Sequence, residues 1–305
     1  MGLTRWIPGF LRRRLGLYLF DRLFPVWERL GFHVVPNNYM SPIPDLRALK
    51  PDLLSKSYEL PGVEMHEPAQ LDLLRGLASQ WGGEFDRMLA SPEGGAYPGD
   101  RSKFGLVDGA VAYAMIRRFK PRTVLEVGSG YSTYILGQAA LRNRQDGVAT
   151  ELIACEPYPN AALRAGLPGV SRLLPRPVQE VDPGEFVRLG TNDTLFIDSS
   201  HVLRTGGDVQ HLFLEVLPRL RAGVHVHVHD IFFPFDYPAE WLVANHRFYS
   251  EQYVLQAFLA FNYAFTVSWA GRYIHLKYPQ ELATAFPTHA GEASSASSFW
   301  MQKTA

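Results

Sequence analysis

Residues Gly223–Asp230 read GVHVHVHD, with His225, His227 and His229 at every second position and Asp230 immediately after. A period of two belongs to a β-strand, so the three imidazoles fall on one face, neighbours roughly 7 Å apart at a rise of about 3.3 Å per residue. Two such rings can share a metal ion, but three along a straight strand cannot. A second apolar run, TLFIDSSH (Thr194–His201), ends in Asp198 with an imidazole three residues on. Two carboxylates at the ends of adjacent strands can share a hard divalent cation, water and substrate oxygens completing its shell. His201 and His229 titrate near neutral pH and are the proton-transfer candidates, His201 first, as a general base. A third stretch, VLEVGSGYST (Val124–Thr133), sets Glu126 two residues before Gly128, with Gly130 following. Glycines there let a ligand approach the backbone, and the next helix offers free amides. A carboxylate before them suits a cationic or amino-bearing ligand better than a pyrophosphate.

The elements that must position these groups are legible from Pro121 onward, where short apolar runs alternate with helix-like segments. TVLEVG, ELIACEP, SRLLPRP, TLFIDSS and GVHVHVHD read as five strands, with helices such as STYILGQAAL and DVQHLFLEVLPRL between them. Near-continuous apolar strands separated by helices indicate an α/β fold with a doubly wound, mostly parallel sheet. NYAFTVSWAGRYI and SSFWMQK complete seven strands as an antiparallel pair at the edge, with helical PQELATAF between them. Ligands in such sheets bind outside the carboxyl ends of the strands. That puts Asp198, Ser199, Ser200 and His201 at one tip and His229–Asp230 at the next. His225 and His227 lie further down and read as buried, neutral, hydrogen-bonded core histidines. IFFPFDYPAEW (Ile231–Trp241) is a proline-restricted loop whose aromatics can wall a pocket. In NHRFYSEQYVLQAFLAFN, Phe258, Leu259 and Phe261 are assigned to the core, while Glu251 and Gln252 point toward the site.

Upstream, residues 1–99 form a helical, proline-rich extension and residues 100–305 the main domain. EPAQLDLLRGLASQWGGEF has helical spacing, Ser91–Gly105 is a loop by composition, and Asp108 is the expected cap of the helix DGAVAYAMIRRF. Arg101 and Lys103 in that loop are placed to close over a substrate or to be solvated. The apolar stretch Leu15–Phe20 is too short to span a membrane or to serve as a signal core. An amphipathic helix within residues 1–30 remains, packed on the protein or lying on a membrane surface.

Among the 305 residues, 30 basic and 30 acidic side chains balance, which gives no footprint for nucleic acid. Cys155 is the one cysteine, so neither a disulfide framework nor a cysteine-based zinc site is available. A cytoplasmic location fits this composition, with peripheral membrane contact through residues 1–30 as the alternative to a packed helix. A dinucleotide fingerprint G-x-G-x-x-G fails at Thr133, and with Glu126 this disfavours an NAD-dependent dehydrogenase. A non-catalytic scaffold that binds through the N-terminal helix is the other alternative.

EVGSGYST, EPYP, FIDSSH, HDIFFPFDYPAEW and EQYVLQAFL occur in this order. In these blocks the chain resembles class I S-adenosylmethionine-dependent methyltransferases, in particular a bacterial group of methyltransferase family 24. The resemblance covers roughly residues 100–305 and implies a Rossmann-like methyltransferase fold. It implies further that Glu126, Gly128 and Gly130, with Ser129, Ser132 and Asp198 beside them, line the methionine part of S-adenosylmethionine. By the same resemblance Glu156 holds the ribose hydroxyls and Gln179 lies near the adenine. Magnesium-using relatives hold the metal with acids at the tips occupied here by Asp198 and Asp230. They usually have a second acid or an amide beside the fifth-strand aspartate, where this chain has His229 and Ile231. The implied activity is O-methylation of a small-molecule or glycan acceptor.

Overall fold

The computed structural model describes residues 9–91 and 103–305, so Arg101 and most of the loop expected before the main domain lie outside the described residues. The chain divides into two compact units, Met1–Leu54 and Ser55–Ala305. In the first, helix α1 (Gly9–Arg29) contains Pro25, and Phe24 stacks on His33 with ring centroids 5.7 Å apart. Leu19, Leu23, Val26 and Leu30 are exposed, at the spacing of one helix face.

The units part at residues 54 and 55 rather than near residue 99, because helices α2 (Glu67–Leu77) and α3 (Gly83–Ala90) bury Leu74, Leu77 and Phe85 in the core of the second unit. Gln70 of α2 accepts a hydrogen bond from the Ala270 amide at 2.8 Å, tying this helix to the far edge of the sheet.

After helix α4 (Leu106–Phe119), strands β1 (Thr123–Val127), β2 (Glu151–Cys155), β3 (Val170–Leu174), β4 (Thr194–Ile197) and β5 (His225–Val228) run parallel. Helix α5 (Tyr131–Gln145) joins β1 to β2, and α6 (Glu251–Leu259) precedes β6 (Phe265–Ala270) and β7 (Phe299–Lys303). The sheet order is β3-β2-β1-β4-β5-β7-β6, with β7 antiparallel to both neighbours. This is the doubly wound seven-stranded arrangement expected, including the antiparallel edge pair. Alternate residues of the central strands feed two cores. Val124, Leu152, Ala154 and Phe196 pack toward α4 and α5, and Leu125, Ile153, Leu195 and Val226 toward α6 on the opposite face.

The histidines of β5 all fall on the α4 side. His225 stacks on Phe119 (3.9 Å) and His227 on Phe196 (3.7 Å), with the Ser298 hydroxyl 3.0 Å from His227 Nε2. Burial holds His225 down at about 4 and His227 well below the usual imidazole value. Both are neutral core side chains, as the strand pattern indicates.

Three local expectations change. Asp108 does not cap α4, which begins at Leu106 behind Gly105; its buried carboxylate reaches across to accept from the Ser297 amide (2.9 Å) and the Ser298 amide (3.0 Å) at the entry to β7. Phe261 is 71% exposed rather than core, because α6 ends at Leu259 and the chain turns through a left-handed Phe261 (φ 59°). The helix expected over Asp208–Leu220 is one α-turn followed by a wide turn at Leu212–Val216 and a tight one at Leu217–Arg219, where Pro218 removes a donor.

Asp108 is therefore a structural clamp on β7. Asp108→Ala leaves two buried amides without acceptors and is expected to lower stability by about 2–6 kcal/mol in urea unfolding, at about 1–3 kcal/mol per stranded group. A change below about 0.5 kcal/mol would contradict the clamp.

Candidate active site

At the end of β1, Gly128 takes φ 86°, and a Cβ there would lie 1.8 Å from the Asp198 carbonyl. Glycine is thus required for β4 to come up against the β1 turn, where the Asp198 amide donates to Val127 at 2.9 Å. Beneath the turn Glu126 is fully buried. Its Oε1 accepts from the Ser132 hydroxyl at 2.7 Å, and Oε2 has no hydrogen-bond partner among the described residues. Burial pushes this carboxyl up to about 8 against the hydrogen bonds of Thr133 and Ser132. At the tip of β2, Glu156 closes the other side. Its Oε2 accepts from the Ser129 amide (3.1 Å) and Oε1 from the Tyr158 amide (2.8 Å). Gln179 does not join them; its side-chain amide donates to the Gly206 carbonyl at 2.7 Å.

The tips of β4 and β5 bring Asp198, His201, His229 and Asp230 together. His201 and Asp230 both sit in the left-handed region, φ 60° and 57°, a conformation disfavoured for side-chain-bearing residues and concentrated at functional sites. His201 Nδ1 lies 2.8 Å from Glu251 Oε2, while Nε2 faces Asp198 Oδ1 at 3.4 Å and Asp230 Oδ2 at 3.5 Å. Burial opposes charge on this ring, but hydrogen bonds with Asp198 and Glu251 and the fields of Glu251 and Asp230 overcome it, raising its pKa well above the usual imidazole value. Loss of solvent opposes ionisation of the half-buried Asp198, yet the charges of His229 and His201 hold it down at about 2. His229 lies under Phe104 (4.7 Å), with Nε2 3.6 Å from Asp230 Oδ1. Despite burial its pKa is raised by Asp198, Asp230 and Asp108.

Ser297 was not legible as a site residue. Its hydroxyl is 3.3 Å from Asp230 Oδ1, and only the insertion of β7 beside β5 brings it there. Glu251 and Gln252 do reach this region; Gln252 accepts from the Phe232 amide at 3.1 Å and so pins the loop after Asp230.

One cavity of about 810 Å3 joins both halves, with Ser129, Gly130 and Ser132 on one wall and Asp198, His201, His229 and Asp230 on the floor. Its far wall is aromatic: Phe232 meets Trp241 edge-on (5.2 Å), Tyr249 meets Trp241 (5.8 Å), and the Arg247 guanidinium lies over the Trp241 ring (5.1 Å). A hollow of about 900 Å3 along α3 and α5 is slightly larger, but none of the strand-tip carboxylates or imidazoles lines it.

Ser129, Gly130 and Ser132 line the half of the cavity at the glycine turn, with Glu126 behind Ser132 and Glu156 behind Ser129, a donor set that fits an amino-bearing nucleotide-like ligand. The other half does not fit a divalent metal. Among the described residues no group of three or more His, Cys, Asp or Glu side chains is arranged to hold one. The His201 ring fills the gap between the two carboxylates that would bridge it.

Residues 125–231 match the family described as a methyltransferase domain. That span opens inside β1 and closes just past Asp230, so it takes in Glu126, the glycine turn, Glu156 and both acidic tips. Over this span the chain is similar to a methyltransferase domain. Over 167 residues the chain is 28% identical to an uncharacterised protein of Archaeoglobus fulgidus, covering 52% of this chain and 74% of that protein. The solved structure described as "cmcI-D160 Mg-SAM" aligns with 68% of this chain and 76% of its own at 13% identity and a TM-score of 0.38, a likeness that bears no weight for the site.

In this site the raised Glu126 carboxyl carries a sign that can be measured. Its folded value of about 8 exceeds the ordinary 4.5, so the native state holds a proton that the unfolded chain has lost. That contribution is complete below the ordinary value and fades as pH rises toward about 8, by at most about 1.4 kcal/mol per pH unit. Chemical unfolding of the ligand-free protein between pH 5 and 9 should show this decline, and Glu126→Gln should flatten it.

Proposed function

We propose that the protein transfers a methyl group from S-adenosylmethionine to a hydroxyl oxygen of a small-molecule or carbohydrate acceptor. The observation that carries this reading is a cavity joining the glycine turn, where Ser132 and Ser129 rest on Glu126 and Glu156, to the acidic strand tips and the aromatic wall. S-adenosylmethionine, when bound, supplies an electrophilic methyl group on a sulfonium. Glu126, with its free oxygen, would take the amino end of this cofactor; Glu156 would exchange its backbone amides for ribose hydroxyls; Gly128 and Gly130 keep the turn clear of side chains.

On the acceptor side the chain's work is placement and proton removal. As the oxygen–carbon bond forms and the sulfur–carbon bond breaks, the hydroxyl proton must leave. A general base needs a free lone pair, and both nitrogens of His201 face carboxylates. The proton is therefore assigned to the carboxylate of Asp230, which His229 and Ser297 steady, while Asp198 stays ionised on the other side of His201. Positioning of donor carbon and oxygen supplies much of the rate in such reactions. The ring faces of Trp241, Tyr249 and Phe232, with Arg247 and Lys103 beside them, suit a flat sugar or ring bearing hydroxyl or anionic groups.

Isothermal titration with S-adenosylhomocysteine tests the cofactor assignment. Micromolar binding is expected, weakened at least tenfold in Glu156→Ala, with no heat from NADH. A wild-type protein that binds NADH but not S-adenosylhomocysteine would restore the dehydrogenase alternative; one that binds neither would leave a scaffold.

A separate observation favours peripheral membrane contact through the N-terminal unit. The exposed stripe of Leu19, Leu23, Val26 and Leu30 is flanked on the helix by Arg22 and Arg29, while Asp21 and Glu28 fall on the opposite side. No described helix is long and apolar enough to cross a membrane. Sedimentation with phosphatidylserine-containing vesicles is expected to carry the protein down, and Leu23→Glu with Val26→Glu to leave most of it in solution.

A further inference from the structure

We propose that the imidazole of His201, braced by Glu251, is the built-in cation of this site and takes the place between Asp198 and Asp230 that a divalent metal would otherwise bridge. The proposal concerns the acceptor half of the cavity assigned above, and it rests on that reading only for what the charge is used for.

The geometry makes the case from three sides. First, the ring edge itself occupies the gap, with Nε2 3.4 Å from one strand-tip carboxylate and 3.5 Å from the other. Second, Nδ1 on the opposite edge is 2.8 Å from Glu251, whose side chain is completely buried. An imidazole with acceptors at both nitrogens is satisfied only when both carry hydrogen, which is the imidazolium form. Third, the ring is not free to swing aside and admit a metal. The Ser250 and Glu251 amides at the start of α6 both donate to the His201 carbonyl, at 2.9 and 3.1 Å. The Ser250 hydroxyl accepts from the Leu203 amide at 2.8 Å, and the Tyr249 ring lies 5.0 Å from the imidazole. Backbone and side chain of His201 are thus fixed by one helix start.

Glu251 is a positioning residue on this account. It touches neither the acceptor nor the cofactor, and it acts by orienting and charging His201. The consequence is a site in which the carboxylates that face the acceptor stay ionised without a metal.

Manganese(II) alone, followed by electron paramagnetic resonance, is the direct probe. Wild-type protein is expected to bind it no tighter than millimolar. His201→Ala opens the gap between two acids and should tighten manganese binding at least tenfold, and Glu251→Gln should tighten it less. Micromolar binding by the wild type that His201→Ala abolishes would make His201 a metal ligand and overturn the proposal. A folded His201→Ala protein with no gain would overturn it as well. Should that variant fail to fold, 15N chemical shifts of His201 in the wild type decide: two protonated nitrogens at pH 7.5 support the proposal, and a neutral ring ends it. None of these readouts involves methyl transfer. Failure to bind S-adenosylhomocysteine would sink the enzymatic reading and leave this one standing, and the reverse also holds.

Discussion

The contact between His201 and three carboxylates is the constraint around which the strand-tip end of the cavity is arranged. The half-buried Asp198 and Asp230 and the fully buried Glu251 meet around one ring, where like charges are expensive. Two unit charges about 4 Å apart interact by about 4 kcal/mol at an effective dielectric near 20. Without a cation among them, at least one of the acids would have to take up a proton. His201 offers each of them an opposite charge at 2.8–3.5 Å, and the burial that would expel a lone imidazolium instead strengthens its attraction to the acids.

Holding that arrangement falls to parts of the chain far apart in sequence. The Gly128 turn lets β4 rise close enough to β1 for Asp198 to stand at the cavity floor. The start of α6 delivers Glu251 and clamps the His201 backbone. β7, inserted antiparallel between β5 and β6, brings Ser297 to Asp230, and Asp108 on α4 fixes that entry by taking two of its amides. Two residues at the centre of the cluster pay for their placement with left-handed backbone, which the surrounding hydrogen bonds enforce.

How far this was legible depends on the range of each contact. Strand identity, the parallel order and the edge pair follow from local hydrophobic patterning, because a buried strand needs apolar residues wherever it is. The placing of Glu126 and Glu156 beside the glycine turn was legible because both sit at strand ends that a turn of fixed shape brings together. The placing of β7 between β5 and β6 was not legible, and with it went Ser297 and the true role of Asp108. An acid two residues into a helix resembles a cap from sequence alone, and only its partner 189 residues later shows otherwise. Phe261 fell to the same blindness: helical spacing carries it into the core, but the helix stops two residues earlier.

The three histidines along β5 and at its end show the physics most plainly, since they share residue type and alternate along one run of chain. His225 meets a phenyl ring and burial leaves it neutral; His227 meets Phe196 and Trp300 and is driven further down. His229, as deeply buried, has Asp198, Asp230 and Asp108 around it, and its pKa moves up instead. What separates a packing histidine from a charged one along this strand is neither the residue nor its depth. It is the point at which the neighbours change from aromatic rings to carboxylates, and that point coincides with the carboxyl end of the strand, where the cavity opens.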